Sequence, residues 1–201
     1  SITADADIII TANNRQLGST LGDPIAGAPG HQGGVVSFTA EGDGTRVDGS
    51  GEIEIDGRLT VDASVNGVRG NRATLASGSD TVGGIINILV SDGGRIALNN
   101  DNSFSQSTFD VSASPNVGTV TAGSSTGGTI NFDITGSASV FDTASSRVQM
   151  IAAGEAGSNA SGSSASGGSN SGGNVNVNVT DATITGSSLE FNARAAGTSS
   201  A

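Results

Sequence analysis

Residues 127–154 read GGTINFDITGSASVFDTASSRVQMIAAG. Two glycines open the stretch. Ile130, Phe132 and Ile134 then alternate with Asn131 and Asp133. Apolar side chains at every second position put one face of an extended strand inside and the other in solvent. A short apolar segment at Val140 follows. Val148, Met150 and Ala152 then alternate again. The stretch therefore predicts three short strands, here a, b and c, each with one buried face.

The same order recurs along the chain. Gly-Gly pairs stand at 33–34, 83–84, 127–128 and 172–173, spaced 50, 44 and 45 residues apart. Strand a follows each pair, as Val36, Phe38 and Ala40, then Ile86, Ile88 and Val90, then Ile130, Phe132 and Ile134, then Val175, Val177 and Val179. Strand b is centred on Val47, Ile96, Val140 and Ile184, with a first copy at Ile2. Strand c has an apolar-x-apolar-x-Ala signature. It reads Leu59, Val61, Ala63, then Phe109, Val111, Ala113, then Val148, Met150, Ala152, then Leu189, Phe191, Ala193, with a first copy at Ile8, Ile10, Ala12. Glu52 to Asp56 reads as an insertion in the first full repeat. Long loops join strand c to the next Gly-Gly. The loop between residues 154 and 173 is nearly all Gly, Ser, Ala and Asn, a composition that packs little and keeps its backbone entropy. The loop from Asn13 to Gln32 carries Pro24, Pro29 and His31. It is expected to be ordered and to touch a neighbour.

Short strands in fixed order, each with one apolar face, predict an all-β fold. The expected form is a parallel β-helix, or solenoid, with three strands per coil, about four and a half coils, and long Gly/Ser/Asn loops between coils. The repeats start near residues 33, 83, 127 and 172, with a partial coil over 1–32. Equivalent side chains should stack about 4.8 Å apart. Ile8, Leu59, Phe109, Val148 and Leu189 are expected in one inner column. Ser37, Asn87, Asn131 and Asn176 are expected in one outer ladder.

Composition narrows the rest. The 201 residues include 32 Gly, six Phe and no Trp, Tyr or Cys. A core without large side chains must be thin and lie close to the backbone. The net charge is -11 and all eight basic residues are Arg. No basic patch is present to neutralise phosphates, so nucleic acid is not an expected partner. No apolar run reaches the ~18 residues of a membrane helix, so membrane insertion of this segment is not expected. Ser1 does not look like a natural start and no leader is visible. Residues 1–201 therefore read as a single β-solenoid segment of a longer chain or filament.

The segments GGTINFDITGSASV (127–140) and GGNVNVNVTDATITGSSLEFNARAAG (172–197) resemble coils of filamentous-haemagglutinin-type β-helices. These occur in large bacterial adhesins exported by two-partner secretion or as autotransporter passengers. The resemblance spans nearly the whole chain and rests on Gly-Gly starts, alternating Ile/Val/Asn strands and Gly/Ser/Asn loops. The coil here is about twice the usual length. The resemblance implies an exported, elongated shaft at a bacterial cell surface, and it offers no catalytic residues to carry over.

His31 is the sole histidine and lies in a Gly/Pro loop without a cysteine or carboxylate cluster beside it. Glu52, Glu54 and Asp56 alternate with Ile53 and Ile55, so the three carboxylates share one outward face. Two carboxylates could serve glycoside hydrolysis. Aromatic platforms and basic partners to hold a sugar are not evident around them, so the face reads as solvated. Asp43, in the turn Glu41-Gly42-Asp43-Gly44, and the nearby Asp48 are weak calcium candidates, because such turns bring oxygen ligands close together. Turn chemistry alone also explains Asp-Gly. The leading expectation is an extracellular structural protein, without enzyme activity or cofactor, that associates end to end through its terminal coils. Host or surface glycans are possible additional partners. The alternative is a stand-alone β-helical domain that binds or degrades polysaccharide.

Overall fold

A computed structural model describes residues 2–4, 6–15, 31–43, 51–66, 80–99, 106–114, 124–155 and 169–196. These residues are all-β, with no helix among them. The first repeat holds β1 (Ile2–Ala4), β2 (Ile8–Thr11), β3 (Asn14–Arg15), β4 (His31–Gln32) and β5 (Val35–Glu41). The second holds β6 (Glu52–Ile55), β7 (Leu59–Asp62), β8 (Val65–Asn66), β9 (Thr81–Val82) and β10 (Ile85–Ser91). The third holds β11 (Arg95–Leu98), β12 (Gln106–Asp110), β13 (Ala113–Ser114), β14 (Ser125–Thr126) and β15 (Thr129–Thr135). β16 (Val140–Asp142), β17 (Arg147–Glu155), β18 (Asn170–Ser171) and β19 (Asn174–Thr180) make the fourth. β20 (Thr183–Thr185) and β21 (Ser188–Ala196) close the series.

Each repeat gives one strand to each of four sheets. The orders are β1-β6-β11-β16-β20, β2-β7-β12-β17-β21, β4-β9-β14-β18 and β5-β10-β15-β19. β3, β8 and β13 extend the second sheet. The pairings between repeats run parallel. Val36, Ile86, Ile130 and Val175 are successive partners in the fourth sheet, as their common place after Gly-Gly predicts.

Three details differ from the sequence expectation. More than three strands recur per repeat. The strand of the third sheet has two residues (His-Gln, Thr-Val, Ser-Thr or Asn-Ser), too few to carry a hydrophobic period, and so have β3, β8 and β13. Glu52–Ile55 is not an insertion but the second repeat's member of the first sheet, where Ile53 pairs with Ile2 and Ile96. Val47 lies outside the described residues. In that sheet Phe141, not Val140, continues the inner column opposite Ile96 and Ile184. Finally, Phe109 pairs with Val61 and Met150. The slot beside Leu59 and Val148 belongs to Ser107, which is buried and accepts a hydrogen bond from the Leu59 amide at 3.1 Å. The slip is two residues, so every side chain keeps its face.

The Gly-Gly pairs have a physical cause. The second glycine of each pair donates its N–H across the section to the second sheet. Gly34 bonds the Ala12 carbonyl, Gly84 that of Ala63, Gly128 that of Val111 and Gly173 that of Ala152, at 2.7–2.8 Å. A Cβ on Gly84 would land on the Gly34 carbonyl oxygen, and one on Gly128 on that of Gly84. Backbone meets backbone at this corner, so no side chain can yield.

The core is thin, as the lack of large residues requires. Ile86, Ile88, Ile130 and Phe132 of the fourth sheet are at most 1% exposed. They face Val61, Phe109, Val148 and Met150 of the second sheet in one apolar cluster. Phe132 meets Phe141 edge to face with centroids 4.8 Å apart, and Phe38 meets Phe109 at 6.0 Å. Such contacts add to simple area burial.

Candidate functional site

The outward faces carry the polar chemistry. On the fourth sheet one column is Ser37, Asn87, Asn131, Asn176. Asn87 Nδ2 donates to Ser37 Oγ (3.1 Å), Asn131 Nδ2 to Asn87 Oδ1 (2.8 Å) and Asn176 Nδ2 to Asn131 Oδ1 (2.8 Å). Every bond points the same way, from a later repeat to an earlier one. Parallel in-register stacking places equal amides one rung apart, and a carboxamide can both give and accept. Asn178 repeats the pattern on Asp133 at 2.9 Å.

The first sheet gathers charge. Glu52 and Glu54 point outward beside the buried Ile53 and Ile55, so the shared face read from the sequence is present. The face is not simply solvated. Arg95, one rung on, bridges Glu52 and Asp142 at 2.5 and 3.2 Å and lies 3.9 Å from Glu54. Asn99 Nδ2 reaches Glu54 and Asp56 at 2.8 and 3.2 Å. Burial alone would lower the Arg95 pKa, but its hydrogen bonds to Glu52 and Asp142 raise it. Burial likewise acts to raise Asp142. The Ala144 amide, Thr185 and Arg95 outweigh it and hold that carboxyl below its ordinary value. The arrangement fixes one guanidinium among three carboxylates and ties three repeats together. This contact was hidden from the sequence because Glu52–Ile55 read as an insertion and so had no rung opposite Arg95.

A second acidic stack lies at the end of the second sheet. Asp62 and Asp110 are direct partners on neighbouring strands. Each caps a turn by accepting the amide two residues on, Ser64 at 2.9 Å and Ser112 at 2.8 Å. Asn13 Nδ2 also donates to Asp62 at 2.9 Å. Burial raises the Asp110 pKa, and the charges of Asp62 and Glu155 add to it, against the hydrogen bonds from Ser112. The repeated Asp-x-Ser at 62–64 and 110–112 was a signal for this stack, had the two strands been aligned in the observed register.

Of the calcium candidates, Asp43 is exposed just beyond β5, and Asp48 lies outside the described residues. Among the described residues no three His, Cys, Asp or Glu side chains are grouped to hold a metal ion. His31 pairs through its backbone in β4 opposite Thr81. Most of the Asn13–Gln32 loop, and residues 156–168 of the Gly/Ser loop, lie outside the described residues. A shallow hollow of about 100 Å³ opens between Thr143, Ile184, Thr185 and Leu189.

Apolar side chains of the inner columns are exposed at the first and the last strands, with Ile2 at 62%. Val177, Val179, Ile184 and Phe191 are 39–49% exposed, although their alternation matches that of buried residues one repeat earlier. Compared with protein families, curated proteins and solved structures, the chain matches none.

Proposed function

We propose that the four parallel sheets wind as one β-solenoid, and that the chain is a structural segment of an extracellular bacterial surface protein of the adhesin type. In this reading it is a shaft that turns over no substrate and needs no cofactor. Its partners are further coils joined end to end, with surface glycans as possible contacts of the outer ladders. The resemblance to filamentous-haemagglutinin-type repeats supports the adhesin class. The observation that carries the proposal is the unbroken register. The same inner column and the same Asn ladder pass from repeat to repeat in the fourth sheet. A unit of this kind gains stability from its neighbours rather than from a closed core. The engaged state of Arg95 supports the shaft over the polysaccharide alternative. Its guanidinium is committed to Glu52 and Asp142 and so is not offered to a sugar acid.

The test is a dilution series of the purified chain examined by electron microscopy and fibre diffraction. Rods that lengthen with concentration and show a meridional spacing of about 4.8 Å are expected. A compact monomer at every concentration, or new reducing ends released from bacterial polysaccharides, would overturn the structural reading.

A further inference from the structure

We propose that β12 is a strand with two registers. It slides by two residues between β7 and β17, and ionisation of Asp110 moves it from the observed register to the slipped one.

A shift of two preserves alternation, so every side chain keeps its face. In the observed register Phe109 lies between Val61 and Met150, and Ser107 holds the place beside Leu59 and Val148. After the slip each residue takes the place of the one two before it. Phe109 then joins Leu59 and Val148, Val111 joins Val61 and Met150, and Ala113 joins Ala63 and Ala152. Two irregularities of the third repeat disappear. The buried Ser107 hydroxyl leaves the apolar interior. The carbonyl that accepts the Gly-Gly N–H belongs to Ala12, Ala63 and Ala152 in three repeats but to Val111 in the third. The slip puts Ala113 there.

The observed register has its own holds. Ser107 accepts the Leu59 amide, Phe109 meets Phe38 edge to face, and β13 pairs with β8 and β17. In the slipped register Pro115 takes the place of Ala113 and brings no N–H to the ladder, so β13 is given up. The connections do not fix either register. Seven residues join β11 to β12, against three between β6 and β7 and four between β16 and β17. Ten residues join β13 to β14. Moving two residues from one such connection to the other changes closure entropy little.

Asp110 weights the two registers. In the observed one it stands opposite Asp62 of β7, and the other acid that bears on it is Glu155 of β17. Straight across on β17 is the neutral Ile151. Asp62 and Asp110 each hold a turn amide, from Ser64 and Ser112, so they turn apart only by losing those caps. Burial and the two neighbouring charges raise the Asp110 pKa against the Ser112 hydrogen bonds. In the slipped register Asp110 stands between Thr60 and Gln149, with Arg147 two residues along β17 on the same face. The sign follows. Protonated Asp110 favours the observed register, and that preference is lost as pH rises through the folded pKa.

Paired cysteines read the register. Direct partners on parallel strands lie about 4.8 Å apart and can bridge, whereas a two-residue offset separates the Cα atoms by about 8 Å, beyond disulfide reach. Thr108→Cys with Gln149→Cys reports the observed register, and Thr108→Cys with Arg147→Cys reports the slipped one. Each full-length double variant is oxidised with dithiodipyridine, which acts in acid as well as in alkali, and the bridges are counted by mass spectrometry. The first pair should bridge throughout. The second should bridge at least about 5-fold more at about pH 8 than at about pH 4, and Asp110→Asn should abolish that rise. No second bridge at either pH, while the first forms, would overturn the proposal. So would a rise that persists in Asp110→Asn. Failure of both bridges would contradict the pairing of β12 with β17 and the proposal with it.

Discussion

Asn131 and Phe132 are neighbours in β15 with opposite duties. Phe132 is 1% exposed and packs on Phe141, whereas Asn131 faces outward in the amide ladder. Phe132→Asp buries an unpaired carboxylate and should cost several kcal/mol, about 4 or more. Asn131→Asp still accepts from Asn176 and loses only its donor to Asn87, a cost of about 1 kcal/mol. Equal losses in urea denaturation would show that the inside and outside of β15 are misassigned. The two perturbed aspartates give opposite pH dependences. Asp142 has a lowered folded pKa, so its stabilisation is present above the unfolded value of about 4 and is lost as pH falls through the folded one. Arg95→Met removes its counter-ion and leaves Glu52 and Asp142 facing each other. The expected loss at neutral pH is about 1–2 kcal/mol, between the values for exposed and buried pairs, and it should shrink in acid. A loss that does not shrink below pH 4 would mean that Arg95 acts by packing alone. Asp110 has a raised folded pKa, so its contribution favours the folded state below about pH 4 and is lost as pH rises through the folded value. Asp110→Asn keeps the acceptor for Ser112 and should raise Tm at pH 7 while leaving it nearly unchanged at pH 3. A lower Tm at pH 7 would contradict the assigned cause.

At the scale of the element, the Gly-Gly corner explains why the repeat could be read at all. Its second glycine closes the section by a hydrogen bond to the second sheet, and its missing Cβ lets repeats stack. Gly128→Ala should cost about 3 kcal/mol, the upper range for overpacking, since only backbone stands in the way. Thermal unfolding checks this, and a Tm within a degree of the parent would refute the corner model. The glycines also anchor the fourth sheet, so its register from Val36 to Val175 was legible by counting from each pair. The other sheets lack such an anchor. In the second sheet the alignment leaned on Ala at the third inner place. The interior there admits Val111 in the third repeat, and Ser107 fills a slot held by Leu59 and Val148 elsewhere. Alternation survives a shift of two, so burial was read correctly while the partners were not. The first-sheet strands have three or four residues, too few to decide between Val140 and Phe141. The Arg95 cluster depends on that sheet's register and stayed hidden with it.

For the whole molecule, one pattern repeated in parallel makes a body with a thin interior. The interior columns tie residues some 45 positions apart, whereas antiparallel hairpins would tie residues a few positions apart. A disulfide distinguishes these cases. The chain has no cysteine of its own. Asn87 and Asn131 are direct partners on β10 and β15, outside the core. Parallel neighbours about 4.8 Å apart fall within the 4.4–6.8 Å Cα range of disulfides. The measurement is mild oxidation of the Asn87→Cys, Asn131→Cys double variant, followed by trypsin, which cleaves at Arg95 between them, and mass spectrometry. The account predicts one bridged peptide pair, formed within a single chain and released by reduction. No bridge in this variant, with ready bridging of a Thr135→Cys, Val140→Cys pair instead, would mean that β15 and β16 form a hairpin and would contradict the parallel stack.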